Sequence, residues 1–378
     1  DVDGNEYIDF VNGLLPVILG YCDPDVDDAV IKQLQKGVCF SLPSLLESEL
    51  AAMLIDIIPC AEMVRFGKNG SDATAGAVRI ARAHTGRDRI AVCGYHGWQD
   101  WYICSTTRDK GIPSAVKELT HPFTYNDLSS LEDLFNKFPN EFAAVIMEPM
   151  NIEEPLPGFL EGVSDLAHKN GAVFIFDEII TGFRYALGGA QTMFNIVPDL
   201  ATFGKSMANG FPISAVVGKK ELMKEMEDVF FSFTFGGEEI SLAAALATIK
   251  KIRERSVIET LWEKGRKIID GVNNYVSAYH LENVFRVKGK PPWSLLIVSD
   301  HEHATSWEIL SLFKQEMFLR GILISASHNV SYAHSDDDIE RLFICYDEIF
   351  DLISRALQAD DISEHLVGKP IEPLFKVR

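Results

Sequence analysis

The chain has 378 residues, of which 47% are hydrophobic and 24% are charged, and its formal net charge is −20. These proportions are typical of a globular protein with one large or two moderate domains. A negative charge of this size disfavours nucleic acids and acidic membrane surfaces, because both require a basic binding surface. We therefore expect neither of them as a partner.

The cysteines and the apolar runs predict the compartment. Six cysteines are scattered without a C-x-x-C pair, a pattern typical of reduced thiols rather than of disulfides or a metal site. No apolar stretch is long enough to span a bilayer, and no signal peptide is recognisable. We predict a cytoplasmic protein without a metal, in which 301–303 (HEH) is a solvated helix entry. The abrupt opening DVDGNEYIDF predicts that a further segment precedes it.

In chain order, apolar β-branched runs alternate with helical patterns. Helical periodicity predicts helices at 45–58, 73–84, 159–170 and 240–253, and strands are expected at 90–93, 143–147, 172–176, 200–203 and 213–217. Strands that are separated by helices predict an α/β fold, with a mainly parallel sheet that carries helices on both faces.

The last third of the chain has a different pattern. A long helix at 262–279 is predicted as a connector, followed by strands at 285–287 and 294–298 and helices at 306–320 and 336–357. We predict a large domain over 40–275 and a smaller α+β domain formed by both termini, 1–39 and 276–378.

Ligands of such sheets bind beyond the carboxyl ends of the strands, where four polar features are expected. The first is NGSDATAGAVRIARA, in which Gly70 and Ser71 open a helix. Free backbone N–H groups and the helix dipole can bind a phosphate there. The alternative is an ordinary helix N-cap, with Ser71 or Asp72 closing the first turn.

The second feature is CGYHGWQDW, directly after the strand at 90–93. Tyr95, between two glycines, can lay its ring on a flat ligand, although a half-buried aromatic loop is the commoner role of such residues. His96 is a candidate base, and the alternative is a histidine that only makes a hydrogen bond.

The third feature is the carboxylate pair Asp177-Glu178 at the end of an apolar strand. Burial of Asp177 is costly unless a cationic or protonated group pairs with it. The alternative, a loop acid that points to water, suits Glu178 better than Asp177.

The fourth feature is Lys205 in DLATFGKSMANGFP. A phosphate-binding loop of the form G-x-x-x-x-G-K-[ST] is excluded, because Asp199 occupies the position of its first glycine. A lysine without solvent at a strand end has a lowered pKa and can attack an aldehyde. Such a lysine, a carboxylate, an aromatic platform and a phosphate site together form the set of groups that pyridoxal phosphate (PLP) requires.

These features lie in segments that resemble the class-III (subgroup II) aminotransferases, which have PLP fold type I, the fold of aspartate aminotransferase. The resemblance covers nearly the whole chain and is carried by VRFGKNGSDATAGAVRIARAHTGRDRI, YHG, AVIMEP, PGFLEGVSDLAHKNGAVFIFDEIITGFR and GGAQTMFNIVPDLATFGK. Within this family the chain is most similar to glutamate-1-semialdehyde 2,1-aminomutases. The resemblance implies a large domain with a seven-stranded, mainly parallel sheet and a smaller α+β domain.

The resemblance also implies roles for residues around the cofactor ring. Lys205 is expected to form the Schiff base with PLP, and Asp177 to pair with the pyridine N–H. Ile179 and Tyr95 are expected on the two faces of the ring, and His96 beside it.

Further residues are implied at the phosphate and on the substrate side. Gly70 and Ser71 are expected to bind the phosphate, and Thr234 to reach the phosphate of the partner subunit in a homodimer. Glu148 and Asn151 are expected near the substrate. The two substrates are a small-molecule amino donor and a carbonyl acceptor.

Two departures from the family pattern bear on the reaction. The run after the lysine is MANGFPISAVVGK, and Glu238 replaces the asparagine of the family's GNP sequence. Both favour a ping-pong aminotransferase, in which pyridoxamine phosphate carries the amino group, and the alternative is an aminomutase that transfers it within one molecule. A silent scaffold is disfavoured because Lys205 and Asp177 are both present.

Overall fold

The structure, a computed structural model, describes residues 1–372, which form two compact units. One unit is Tyr21–Arg255, and the other joins Asp1–Gly20 to the described chain from Ser256 onward. Compactness does not test which segments fold independently as domains. The predicted domain boundaries at 39/40 and 275/276 therefore stay a prediction.

The described residues form short strands and longer helices that alternate along most of the chain. The strands are β1 (Ile8–Asp9), β2 (Met63–Gly67), β3 (Arg89–Cys93), β4 (Thr120–Pro122), β5 (Phe142–Met147), β6 (Val173–Asp177), β7 (Leu200–Phe203), β8 (Ser214–Gly218), β9 (Phe285–Lys290), β10 (Trp293–Val298), β11 (Ile322–Leu323) and β12 (Ser327–Asn329). The α-helices are α1 (Pro24–Leu34), α2 (Leu45–Ile57), α3 (Gly70–Thr85), α4 (Asp100–Ile103), α5 (Ser114–Lys117), α6 (Leu128–Lys137), α7 (Phe159–Lys169), α8 (Ala190–Phe194), α9 (Lys220–Met223), α10 (Glu239–Glu254), α11 (Val257–Ala278), α12 (Ser306–Leu319) and α13 (Asp336–Ala359).

A seven-stranded sheet organises the unit Tyr21–Arg255, with the strand order β2-β8-β7-β6-β5-β3-β4. The pairs from β7 through β4 are all parallel, whereas β8 is antiparallel to both of its neighbours. The predicted α/β class with a mainly parallel sheet is confirmed. Because the parallel strands share one direction, their carboxyl ends meet at one edge of the sheet.

Helix α3 is held against this sheet by its small residues. Asn69 caps its first turn: the Asn69 Oδ1 accepts from the Asp72 N at 3.1 Å, and the Asp72 Oδ2 accepts from the Asn69 N at 3.0 Å. Ala73 and Ala77 are fully buried on the core face of the helix. Short side chains at these positions let the helix axis approach the strands closely.

The predicted strands of the large sheet are found within about one residue of their expected bounds, but β2, β4 and α1 were not predicted. β4 has three residues and ends in Pro122, as suits an edge strand. Helix α1 begins with Pro24 after Asp23, whose carboxylate accepts from the Asp25 N and the Val26 N. Proline at the first position of a helix after an aspartate is a recognised start signal that would have located α1.

The unit that contains both chain ends has two small sheets. β12, β10 and β9 form an antiparallel sheet, and β1 pairs in parallel with β11. Its core includes the fully buried His328, which is hydrogen-bonded to the Ser294 Oγ at 2.9 Å and to the Tyr346 hydroxyl at 2.7 Å. Every helix in residues 1–372 is too short or too polar to span a membrane.

Candidate active site

Lys205 lies at the carboxyl edge of the sheet, separated from the fully buried strand β7 only by Gly204. It starts a 3₁₀ turn, Lys205–Ala208, with a φ of +39°. Burial lowers the pKa of Lys205, and the nearby carboxylates of Glu148 and Asp177 oppose this shift without cancelling it. A lowered pKa increases the fraction of neutral amine, which is the nucleophilic form.

Two glycines give Ile179 its place beside this lysine. A Cβ added to Gly204 would lie 3.1 Å from the Ile179 side chain, and one added to Gly70 would lie 3.2 Å from it. The backbone before Lys205 and the start of α3 therefore both lie against Ile179. The structure thus brings Gly70 and Ile179 together.

Asp177 ends the neighbouring strand β6 and is engaged through both carboxylate oxygens. Its Oδ2 accepts from the His96 Nδ1 at 2.8 Å, and its Oδ1 accepts from the Thr202 Oγ1 at 3.0 Å and the Ile179 N at 3.1 Å. The side chains of Asp177 and His96 are almost fully buried. His96 is thus the partner that the burial of Asp177 requires.

His96 supports Asp177 and also carries an unused polar atom. The edge of Tyr102 packs against its ring at a centroid distance of 5.1 Å. Its buried Nε2 has no hydrogen-bond partner among the residues that the structure describes. A buried nitrogen without a hydrogen-bond partner lowers the stability of the fold, and such atoms occur where a further group binds or where the residue has a functional role.

The first turn of α3 provides the candidate phosphate site. Asn69 caps this helix, and the Asp72 side chain makes the reciprocal hydrogen bond. The alternative that Ser71 is the N-cap is therefore wrong. The Ser71 Oγ accepts from the Trp98 N at 3.2 Å. Within residues 1–372, the backbone N–H groups of Gly70 and Ser71 have no acceptor. These N–H groups at the positive end of a sixteen-residue helix can bind an anion.

Gly97 allows the loop with Tyr95 and His96 to lie on α3. Its φ is +103°, and any Cβ there would collide with the Ser71 Oγ. The Thr74 Oγ1 donates to the His96 carbonyl oxygen at 2.8 Å and ties the same loop to α3.

We expect Gly97→Ala to lower the free energy of unfolding by about 2–3 kcal/mol, since backbone strain and the collision add. Gly111→Ala is the matched control, because Gly111 has a φ of +92° but no atom within 4 Å of an added Cβ. Urea denaturation of both variants measures the difference. Equal losses would show that the contact with Ser71 is unimportant.

Glu148 follows strand β5 and joins the predicted substrate-side residues. Its Oε2 accepts from the Tyr95 N and from the Asn151 Nδ2, both at 2.9 Å. Burial raises the pKa of Glu148, and the charge of Asp177 adds to the effect. The Tyr95 ring is half exposed and meets the ring of Tyr102 edge-on. A cavity of about 300 Å³ opens here, lined by Cys93, Gly94, Tyr125, Glu148, Asn151, Ile152 and Glu153.

Thr234 lies elsewhere, in the exposed turn that precedes α10. Large apolar side chains are exposed on both sides of Thr234, at Phe230, Phe233 and Phe235.

The structure also places two buried charged residues near the site that the sequence did not predict there. Glu178 is buried, not solvated as expected, because its carboxylate accepts from the Ala190 N at 2.7 Å and the Gln191 N at 2.8 Å at the start of α8. Arg184 is fully buried, and burial lowers its pKa to about 10. The apolar neighbours of Glu178 and Arg184 in DEIITGFR are the sequence feature that could have predicted their burial.

Comparison with known proteins agrees with this arrangement. The profile of the family described as "Aminotransferase class-III" matches residues 1–336. The 3-aminobutyryl-CoA aminotransferase of Cloacimonas acidaminovorans is 38% identical, over 90% of this chain and 83% of that protein. A glutamate-1-semialdehyde 2,1-aminomutase of Francisella tularensis subsp. holarctica is 34% identical, over 90% of this chain and 86% of that protein.

One solved structure is similar to this chain in both sequence and fold. The internal aldimine form, with PLP, of the FumI protein from Sphingopyxis sp. MTA144 is 29% identical and superposes with a TM-score of 0.89. The match covers 95% of this chain and 87% of that one. The expected fold type I architecture is confirmed.

Proposed function

Because this chain belongs to the class-III aminotransferases, which are PLP-dependent enzymes of amino transfer, we propose that it transfers an amino group between two separate small molecules. The observation that carries this proposal is a lysine of lowered pKa beside a buried, histidine-paired aspartate at the carboxyl edge of the sheet. The proposed location remains the cytoplasm, on the basis of the scattered cysteines.

The residues of the site fit PLP in their chemistry. Bound PLP supplies a protonated ring that withdraws electrons from the carbon next to the substrate amine. Lys205 offers the amine for covalent attachment, and Asp177 offers the carboxylate for the pyridine N–H. The N–H groups of Gly70 and Ser71 face outward from a helix start for the phosphate.

Lys205 then acts as the base of the reaction. Once the donor amine has replaced it, its freed amine would take the proton from the substrate carbon and return it to the carbon on the other side of the amine nitrogen, two atoms away. His96, Thr202 and Ile179 all donate to Asp177 and fix the position of its carboxylate. Ile179 and Tyr95 restrict the plane in which the reacting carbon lies.

The aminotransferase is favoured over the aminomutase by two observations. The 3-aminobutyryl-CoA aminotransferase is more similar to this chain than the aminomutases, at 38% against 34% identity. Glu238, in place of the family's asparagine, is also part of a well-formed helix cap. We infer that Glu238 has a structural role in this chain as the N-cap of α10.

Incubation of the PLP-loaded enzyme with a single amino donor tests the choice. The proposal predicts release of a carbonyl product and recovery of the cofactor as pyridoxamine phosphate, in equal amounts. Turnover of glutamate-1-semialdehyde without a second substrate, together with no released carbonyl product, would establish the aminomutase instead.

We also propose a homodimer in which Thr234 completes the partner's phosphate site. The exposed Phe230, Phe233 and Phe235 around Thr234 support this proposal, since an exposed apolar cluster is typical of a protein interface. We propose that a second copy of the chain covers this apolar cluster, because in a two-fold symmetric homodimer the same surface of each subunit forms the interface.

Mixing two variants tests the shared site. We expect Thr234→Ala to weaken PLP binding roughly tenfold, the scale of a lost hydrogen bond to a charged group. In a mixture of Thr234→Ala and Lys205→Ala chains, mixed dimers contain one site with both native residues. At a PLP concentration that leaves Thr234→Ala largely without cofactor, activity should therefore rise on mixing, with each parent as the control. Activity that never exceeds the sum of the parents would contradict the shared site.

A further inference from the structure

Lys68 connects three segments that surround the start of α3. It directly precedes the helix cap Asn69. Its Nζ donates to the Glu238 Oε2 at 2.8 Å, to the Pro212 carbonyl oxygen at 3.1 Å and to the Ser241 Oγ at 3.4 Å. The ammonium group therefore has defined acceptors on two other parts of the chain.

Glu238 is fixed at the other end of this ion pair. It caps α10, with its Oε1 accepting from the Ile240 N at 2.8 Å and its Oε2 from the Ser241 Oγ at 2.6 Å. Burial raises the pKa of Glu238, but the bonds from Lys68 and Ser241 outweigh burial and keep the pKa below its ordinary value. Glu238 is thus held as the anion that Lys68 requires.

The pair differs from an ordinary surface salt bridge. The Lys68 side chain is 19% exposed and that of Glu238 12% exposed. Shielding from water strengthens the attraction, and the rigid helix cap means that little side-chain entropy is lost in forming it. Removal of one partner leaves a largely buried charge, which is costly.

Each connected segment carries part of the candidate site. Gly70 and Ser71 follow Lys68 in the first turn of α3, and Pro212 follows the turn that starts at Lys205. Thr234 lies in the turn before α10, which Glu238 caps. A shift of Lys68 relative to Glu238 would therefore displace the N–H groups that face a phosphate.

We propose that Lys68 and Glu238 are a positioning pair, which holds the first turn of α3 where it binds the phosphate group of the cofactor. The inference rests on the proposed PLP site. It deepens that function by assigning a role to the charged residue that replaces the family's asparagine. Neither residue needs to touch the cofactor, since both act through the backbone of α3.

Binding of PLP compared with pyridoxal, which lacks the phosphate, separates this role from a merely structural one. Glu238→Gln and Lys68→Met should each weaken PLP binding roughly tenfold, the scale on which loss of an orienting hydrogen bond affects bound ligands. Pyridoxal affinity, measured by absorbance in the same titration, should not change. Lys68→Arg keeps the charge and should retain most of the PLP affinity.

Glu316→Gln is the matched control, because Glu316 forms an ion pair of similar exposure with Arg320 in the other unit. Its PLP affinity should equal that of the wild type, and the melting temperatures of the apo-proteins show whether the variants fold. Equal losses for PLP and pyridoxal, or no loss for either, would overturn the positioning role. Failure of the wild type to bind PLP would overturn the proposed function itself, and this inference with it.

Discussion

Lys205→Ala should abolish the visible absorption band of the covalent lysine–PLP linkage and lower turnover by at least about a thousandfold. The variant loses the nucleophile and the general base together, and a general base alone contributes about 10²–10⁴-fold. The structure strengthens this expectation, because burial lowers the pKa of Lys205 and so prepares the neutral amine. The measurements are an absorption spectrum after addition of PLP and the rate with a single donor.

Two controls make the result specific to this position. Lys220→Ala removes an exposed lysine of the same unit and should leave both the band and the rate unchanged. Added methylamine should partly restore proton transfer in Lys205→Ala, since it can supply the missing base. Borohydride reduction of the wild type followed by peptide mapping should place the cofactor on Lys205. Survival of the band in Lys205→Ala would contradict the assignment.

Asp177→Asn should keep the lysine–PLP band yet lower turnover by roughly a hundredfold or more. Asparagine has nearly the same shape, and its single amide oxygen can still accept from the Thr202 Oγ1 and the Ile179 N. Its amide NH2 can donate to the His96 Nδ1 in the other histidine tautomer, so the pocket should remain folded. It lacks the negative charge that keeps a pyridine nitrogen protonated, and proton removal from the substrate carbon becomes harder. The step that slows is the one Lys205 carries out as base.

A deuterated donor distinguishes this effect from general damage. If proton removal limits Asp177→Asn, this variant should convert a donor deuterated at the reacting carbon several-fold more slowly than the undeuterated donor, and this isotope effect should exceed that of the wild type. Glu178→Gln is the control, since Glu178 is an equally buried neighbour that caps α8. It should lose stability without gaining an isotope effect. Near-normal turnover in Asp177→Asn would mean that Asp177 does not face the ring nitrogen.

Local patterns in the sequence were sufficient for most strands of the large sheet. β5, β6 and β7 are fully buried apolar runs with sharp ends, and each was predicted within one residue of its bounds. β4 was missed because three residues with a terminal proline carry almost no periodic signal. The antiparallel direction of β8 was likewise not predicted, because strand direction depends on how the chain returns to the sheet.

The pairing of charged groups required the folded chain. The argument from burial predicted that Asp177 needs a cationic or protonated partner, but the partner is His96, 81 residues earlier. Lys68 and Glu238 are 170 residues apart, and no local pattern connects them. The burial of Glu178 depends on the backbone N–H groups of Ala190 and Gln191 at the start of α8, which donate to its carboxylate.

Residue types in short, ordered segments were therefore enough to predict the family and the α/β class, and they singled out Lys205 and Asp177 as the proposed site residues. The groups that support these residues became known from the folded chain: His96 behind Asp177, Asn69 rather than Ser71 as the cap of α3, and the ion pair of Lys68 with Glu238. His96 meets Asp177 because the sheet order β6-β5-β3 places the ends of strands distant in sequence at one edge. Contacts across that edge follow from three-dimensional proximity, which periodicity along the chain does not encode.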